Sequence, residues 1–142
     1  MAPMEGVTDF AFRSWIALCS APAFMSTPFL RATHSYPKKI PKMYAPELTQ
    51  AINFNYQLIP QVMAANPDHF LQTAEQLLPH TSIIDLNCGC PAPKPLGSGA
   101  GASLLAEPEY FGKFVAHITD RLPKKSISVK MRLGLTEKKE FS

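Results

Sequence analysis

The chain has 142 residues, a formal net charge of +3 and a hydrophobic share of 46%. This length suits one domain, and the composition excludes a disordered or highly charged polypeptide. No apolar run reaches the roughly 18 residues that a membrane-spanning helix requires. Glu5, Asp9 and Arg13 interrupt the first apolar stretch, so the sequence predicts neither a membrane span nor a signal peptide.

Five short apolar runs predict strands, and helical patterns lie between them. The predicted strands cover residues 1–4, 24–29, 58–64, 83–87 and 127–132. Predicted helices begin at residues 8–9, 46, 66–67 and 107–108, where cap residues or prolines precede apolar positions at helical spacing. In the first of these helices, we expect the inward residues to be Phe12, Trp15, Ile16 and Cys19.

Repeated strand–helix units predict parallel strands with right-handed crossovers. An open doubly wound sheet and a (β/α)8 TIM barrel both fit this order, but no G-x-G-x-x-G motif follows the first strand. Polar residues cluster at the carboxyl ends of the strands, where barrel enzymes carry their chemistry. These are Glu5, Arg31, Gln61, Asn87, Cys90, Lys130 and Arg132. We therefore predict an α/β fold of the barrel type. Because a full barrel needs about 250 residues, residues 1–142 are expected to be its incomplete N-terminal part, about five strand–helix units.

The cysteines do not form a disulfide framework or a metal site in this interpretation. Cys19, Cys88 and Cys90 are odd in number, and no histidine or cysteine follows at the spacing of zinc ligands. We expect reduced thiols, no metal and a cytoplasmic location. After Asp85, a strand ends in an amide and a glycine turn presents Cys90, a thiol that is either a nucleophile, a proton donor or an inert buried group.

Of three further features, the first two admit more than one interpretation. The glycine-rich segment over residues 96–105 is a phosphate cradle, a plain connection or a mobile loop that closes over a site, and the last is favoured. Lys130 and Arg132 share one strand face, which indicates an anionic ligand or an exposed strand edge. Gln61 lies in an otherwise apolar strand and needs a polar partner.

These motifs resemble the flavin-dependent tRNA-dihydrouridine synthases. The resemblance is carried by residues 2–9 with Phe12 and Arg13, by residues 85–91, by residues 97–109 and by residues 128–134. Together they span nearly the whole chain in the family's order. Residues 27–31 and the Asn-Cys-Gly-Cys-Pro segment are most similar to the bacterial C-type subgroup, which modifies position 16 of the tRNA D-loop.

The resemblance implies a flavoprotein that binds FMN and is reloaded by NADPH. Pro3, Met4 and Glu5 would lie against the flavin. Gln61 would hydrogen-bond the edge of the isoalloxazine, and Lys130 would stabilise the negative charge of the reduced ring.

For the substrate, the resemblance implies a uridine in tRNA that is reduced to 5,6-dihydrouridine. Asn87 would orient the target uracil, while Arg31 and Arg132 would contact the tRNA. Cys90 would be the general acid that protonates C5 after hydride reaches C6. Cys88 would point away from Cys90 and take no part.

The chain also departs from the family pattern. Pro28 stands where the subgroup usually has Glu, and two extra prolines flank Lys94. The family's flavin phosphate site, a flavin-contacting histidine and a C-terminal helical tRNA-binding domain are not found in these residues. A flavin-dependent dehydrogenase of free pyrimidines and a truncated, non-catalytic remnant therefore stay open as alternatives. A full-length enzyme is expected to be monomeric.

Overall fold

The structure, a computed structural model, describes residues 1–41, 44–49, 55–91, 99–122 and 126–133. Its four strands are β1 (Phe24–Ala32), β2 (Gln57–Ala64), β3 (Ile84–Cys88) and β4 (Ile127–Met131). Its helices are α1 (Phe10–Cys19), α2 (Pro46–Thr49), α3 (Pro67–Leu77) and α4 (Pro108–Thr119), and Gly101–Ala106 forms a 3-10 helix. No helix in these ranges is long and apolar enough to cross a membrane.

The four strands are parallel and lie side by side in the order β1-β2-β3-β4. The predicted α/β architecture with a parallel sheet is thereby confirmed. The predicted first strand, residues 1–4, is not a strand in the structure. However, Met1 donates its ammonium to the carbonyl of Phe24 (2.8 Å) and accepts from the N–H of Ser26 (3.2 Å). Met1 thus bonds to the edge of β1 as a residue of a parallel neighbour would.

One face of the sheet packs against α3 and α4. Strand residues alternate between faces, and those on this side form one apolar core with the two helices. The core includes Leu30, Ala32, Val62, Ala64, Phe70, Ala74, Leu77, Ile84, Leu86, Cys88, Phe114 and Ile118. At the helix start, the side chain of Asn66 accepts from the N–H of Asp68 at 2.7 Å, so the predicted cap of α3 is present.

The opposite side of the sheet, which we call the polar face, carries Gln61, Asp85, Asn87, Ser128 and Lys130. These residues alternate with core residues along β2, β3 and β4. The register aligns Gln61 with Asp85, Asp85 with Ser128, and Asn87 with Lys130. One line of polar side chains therefore runs across three strands.

A bulge in β1 adjoins this line. The pairing of β1 with β2 shifts between Ser26 and Phe29, around Pro28, which has no N–H for the ladder. Hydrogen bonds from the side chains of Thr27 and Tyr44 compensate for the interrupted pairing between β1 and β2. The N–H of Gln61 donates to Thr27 Oγ1 (3.0 Å), the Tyr44 hydroxyl donates to the Gln61 carbonyl (2.9 Å), and the two hydroxyls bond each other. A closed ring of hydrogen bonds thus fixes the middle of β2.

The predicted inward face of α1 is wrong for two of its four residues. Trp15 is 58% exposed and Cys19 is exposed, whereas Arg13 is fully buried. The guanidinium of Arg13 donates to both carboxylate oxygens of Glu47 and to the carbonyl of Thr8. A charged side chain tolerates burial when it is paired and hydrogen-bonded in this way, so it displaces the apolar residues from the inner position.

Candidate active site at the carboxyl ends of the strands

The polar face holds a chain of side-chain hydrogen bonds centred on Asp85. Gln61 Nε2 donates to Asp85 Oδ2, and Ser128 Oγ donates to Asp85 Oδ1 at 2.7 Å. On its other side, Gln61 Oε1 accepts from Asn87 Nδ2 at 2.7 Å. Gln61 is fully buried and Asp85 and Asn87 are 6% exposed, so each of these bonds satisfies a group removed from water.

The same chain of bonds reaches the turn that carries Cys90. Asn87 Oδ1 accepts from the N–H of Gly89 (3.1 Å) and from that of Cys90 (3.0 Å). The carbonyl of Cys90 accepts from the N–H of Ala102 at 3.1 Å. Both sides of the Cys90 backbone are therefore held, and the half-buried side chain is presented at the end of β3.

Gly101 packs directly on Cys90. Its φ of +63° lies in the left-handed region, and a Cβ added there would come within 2.8 Å of the Cys90 carbonyl oxygen. Only glycine meets both demands without strain. The 3-10 helix that it begins is packed, with Leu104 in the core. For the expected mobile loop, residues 96–98 lie outside the described residues, as does Lys94.

The neighbouring Cys88 has a different environment. It is fully buried among core residues on the helix side of the sheet. Burial, together with the charge of Asp85, raises the pKa of its thiol from 9.0 to about 12. The location agrees with the expectation that Cys88 points away from Cys90, and it keeps the Cys88 thiol protonated.

Lys130 places a cation beside the turn. A Cβ on Gly89 would lie 3.6 Å from Lys130 Nζ, so the ammonium sits against this glycine. Within the described residues, Lys130 takes part in no ion pair. Arg132 follows β4 directly and is partly exposed. Lys130 is exposed, and β4 lies at the edge of the described sheet. The Lys130 ammonium is therefore accessible to an anion, while the exposed-edge interpretation of Lys130 also agrees with the structure.

The remaining predicted site residues lie around β1. Met4 is tied to Thr8, whose hydroxyl accepts from the Met4 N–H (2.9 Å) and donates to its carbonyl (3.0 Å). This turn leaves Met4 and Glu5 exposed and Pro3 half-buried. Arg31 pairs with Glu5 at 2.8 Å, with its guanidinium 4.9 Å from the centroid of the Phe29 ring.

The structure thus brings Gln61, Asn87 and Cys90 into one hydrogen-bonded group with Lys130 beside it, and pairs Glu5 with Arg31 separately. Asp85 and Ser128, for which no role was predicted, complete the group. The sequence did contain an indication of the role of Asp85: Asp85 and Asn87 occupy alternate positions of a buried strand, so their side chains lie on the same face. Among the described residues, no group of three His, Cys, Asp or Glu could hold a metal ion.

Comparison with known proteins identifies relatives that match nearly the whole chain. A protein-family model described as dihydrouridine synthase (Dus) matches residues 1–142. The chain is 32% identical to tRNA-dihydrouridine(16) synthase of Ralstonia nicotianae, with 96% of this chain and 44% of the relative covered. It is 32% identical to tRNA-dihydrouridine(16) synthase of Escherichia coli K12, with 94% and 44% covered. It is 29% identical to the probable tRNA-dihydrouridine synthase of Helicobacter pylori 26695, with 97% and 42% covered.

The chain spans less than half the length of these curated relatives. The match of the family model, in contrast, runs from the first residue of the chain to the last. The chain belongs to the dihydrouridine synthase family.

Proposed function

We propose that this chain is part of an enzyme that reduces a uridine of tRNA to 5,6-dihydrouridine with FMN and NADPH. The observation that carries the proposal is the hydrogen-bonded group of Gln61, Asn87 and the Cys90 turn at the carboxyl ends of β2 and β3. The parallel strand order supports a further proposal, that residues 1–142 are the N-terminal part of a (β/α)8 barrel. The rest of the barrel and a C-terminal helical tRNA-binding domain would belong to the full-length enzyme.

The polar face fits a flavin ring. The edge of such a ring offers carbonyl acceptors and an N–H donor. The Gln61 carboxamide, which is fully buried when no flavin is bound, would use its second N–H and its second lone pair for that edge. The ammonium of Lys130 matches the negative charge of a reduced ring. When bound, FMN supplies the hydride that reaches C6 of the uracil.

Asn87 and Cys90 would act on the uracil itself. Asn87 Nδ2 has one hydrogen left after bonding Gln61, and this hydrogen would orient a carbonyl of the base. The Cys90 thiol would give its proton to C5 as general acid. The target base must leave its stack to reach these groups, which costs a few kcal/mol, least where the base is unpaired.

The β1 side would contact the flavin and the tRNA. Pro3 and Met4 offer apolar surface to the flavin ring, with Glu5 beside them. The Glu5–Arg31 pair is exposed, at 56% and 45% of the two side chains. Since an exposed ion pair contributes only about 0–1 kcal/mol, Arg31 can exchange Glu5 for a tRNA phosphate at little cost. Arg132 would add a second phosphate contact.

The test is a Cys90→Ala substitution in the intact protein, with Cys19→Ala as the control for an exposed thiol. Cys90→Ala is expected to abolish dihydrouridine formation in tRNA while FMN stays bound, and Cys19→Ala to leave both unchanged. Mapping the product is expected to give position 16, the position that the names of the relatives from Ralstonia nicotianae and Escherichia coli specify.

Three other outcomes would contradict parts of the proposal. Full activity of Cys90→Ala would remove Cys90 as the general acid. Turnover of free uracil by the wild type, without turnover of tRNA, would support a dehydrogenase of free pyrimidines. An intact protein that neither binds FMN nor reduces tRNA would support a non-catalytic remnant.

A further inference from the structure

We infer that Asp85 is a positioning residue that fixes the orientation of two carboxamides and, through them, the turn that presents Cys90. The catalytic meaning of this inference rests on the proposed function, but the positioning does not. The contacts that carry it are those that join Ser128, Asp85, Gln61 and Asn87 to the Cys90 turn.

Asp85 sets the direction of the hydrogen bonds among the side chains of this group. A carboxylate only accepts hydrogen bonds, so Gln61 must turn its amide nitrogen toward Asp85 and its oxygen toward Asn87. Asn87 must then give its nitrogen to Gln61. Its oxygen is left for the N–H groups of Gly89 and Cys90.

A carboxamide has nearly the same shape in both orientations, so shape alone does not fix this direction. If Gln61 reverses, its nitrogen faces the nitrogen of Asn87. If Asn87 reverses as well, its nitrogen faces the N–H groups of Gly89 and Cys90, and both bonds to the turn are lost. With Asp85 in place, the reversal of both carboxamides also breaks the bond between Gln61 and Asp85, because the Gln61 oxygen then faces a carboxylate. Hydrogen bonds are therefore lost both at Asp85 and at the Cys90 turn.

The other side of Cys90 is held independently. Its carbonyl bonds the N–H of Ala102, and Gly101 packs against it. Loosening the Asn87 contacts should therefore expose the Gly89 and Cys90 amides without unfolding the 3-10 helix. The effect of Asp85 is expected to be local.

The experiment compares Asp85→Asn with the double exchange Asp85→Asn/Gln61→Glu in the intact protein. Asparagine at position 85 both donates and accepts, so it no longer dictates the orientation of Gln61, and reversal loses bonds only at the Cys90 end. In the double variant, the carboxylate at position 61 accepts from both position 85 and Asn87. Asn87 is again forced to give its oxygen to the turn, and Ser128 can still donate to position 85.

Two measurements report the conformation of the Cys90 turn and require neither flavin nor tRNA. Amide hydrogen exchange reports the N–H groups of Gly89 and Cys90, and alkylation in a Cys19→Ser background reports the Cys90 thiol. Cys88, fully buried in the core, reacts only when the fold opens, so its alkylation separates a local change from unfolding. Dihydrouridine formation is measured in parallel.

We expect Asp85→Asn to raise the exchange rates of both amides and the alkylation rate of Cys90 by about tenfold. The reason is that reversal of the two carboxamides then no longer breaks a hydrogen bond to a charged group. Cys88 should stay protected, and the double exchange should return both rates to the wild-type range. Unchanged rates in Asp85→Asn would overturn the inference. A double variant that fails to recover them, whether folded or unfolded, would do so too. If the rates behave as expected but the wild type lacks activity on tRNA, the proposed function fails and the positioning role stands.

Discussion

Glu47 holds the guanidinium of Arg13 through two parallel hydrogen bonds, from Nε to Oε1 at 2.7 Å and from Nη2 to Oε2 at 2.8 Å. Both side chains are buried, at 0% and 4% exposure. Tyr56 adds a hydrogen bond to Glu47 at 3.0 Å. This pair joins α1 to α2 at the point where an apolar contact would be expected.

Breaking this pair on one side is expected to destabilise the fold strongly. Glu47→Gln leaves the Arg13 charge buried without its counter-ion, at a cost of about 3–5 kcal/mol. Replacing both residues with apolar side chains, Arg13→Met and Glu47→Leu, should recover most of that loss. Glu109→Gln is the control, because the pair of Glu109 with Lys113 is exposed (3.9 Å) and contributes less than about 1 kcal/mol. Urea unfolding gives the free energy of unfolding of Glu47→Gln, of the double variant and of Glu109→Gln. Equal losses of stability in Glu47→Gln and Glu109→Gln would contradict a stabilising role for the buried pair.

Alanine substitutions at three glycines are expected to distinguish the energetic cost of backbone strain from that of a steric clash. Gly99 has a φ of +68° and open space around it, so Gly99→Ala should cost only the left-handed strain, about 1–2 kcal/mol. Gly101→Ala adds a clash with the Cys90 carbonyl and should cost more than Gly99→Ala. Gly112 lies exposed within α4 with nothing near it, and Gly112→Ala should stabilise by about 0.5–1 kcal/mol. Thermal unfolding gives the order, and a Gly101→Ala protein as stable as Gly99→Ala would refute the close contact with Cys90.

Ionisation of the Cys88 thiol is expected to lower the stability of the fold at alkaline pH. Its pKa is raised from 9.0 to about 12 by burial and by the charge of Asp85, so the folded state binds the proton more tightly than the unfolded state. The stabilisation is therefore complete below about pH 9 and is lost as the pH rises toward 12. The free energy of unfolding should fall more steeply over this range in the wild type than in Cys88→Ala. Tyr56, whose pKa burial and then Glu47 raise to about 12, contributes equally to both proteins. Parallel slopes would show that Cys88 is not the group responsible.

The ring of hydrogen bonds at the β1 bulge should behave as one unit. Thr27→Val leaves the Gln61 N–H without its acceptor, and Tyr44→Phe leaves the Gln61 carbonyl without its donor. Each is expected to cost about 1–3 kcal/mol, and the double variant should cost less than the sum because the two share partners. Thr119→Val, at an exposed hydroxyl near the end of α4, should change stability by less than about 0.5 kcal/mol. Strict additivity in denaturant unfolding would show two independent contacts instead.

Local patterns predicted the elements whose causes are local. The start of α3 follows from Asn66 and Pro67, which act on their own neighbours, and its apolar spacing places Phe70, Ala74 and Leu77 in the core. The polar residues at strand ends were also visible, because parallel strands bring those ends to one edge.

Features that depend on distant partners were not predicted. Arg13 is buried because Glu47, 34 residues away, neutralises it, and nothing near Arg13 in the sequence indicates that partner. The bulge at Pro28 needs Tyr44 from another segment. For Gln61 and Asn87, the sequence indicated polar side chains but not the direction of their amides. Asp85, on the neighbouring strand, sets the direction of Gln61, and Gln61 in turn sets that of Asn87.

The alternation along β3 has a consequence for how such a protein changes over time. Ile84, Leu86 and Cys88 hold the helices, while Asp85 and Asn87 hold the turn that bears Cys90. Neighbouring positions thus serve separate purposes, and a substitution in one set leaves the other in place. Selection can revise what the polar face recognises while the scaffold persists, and a protein engineer can do the same by altering every second residue.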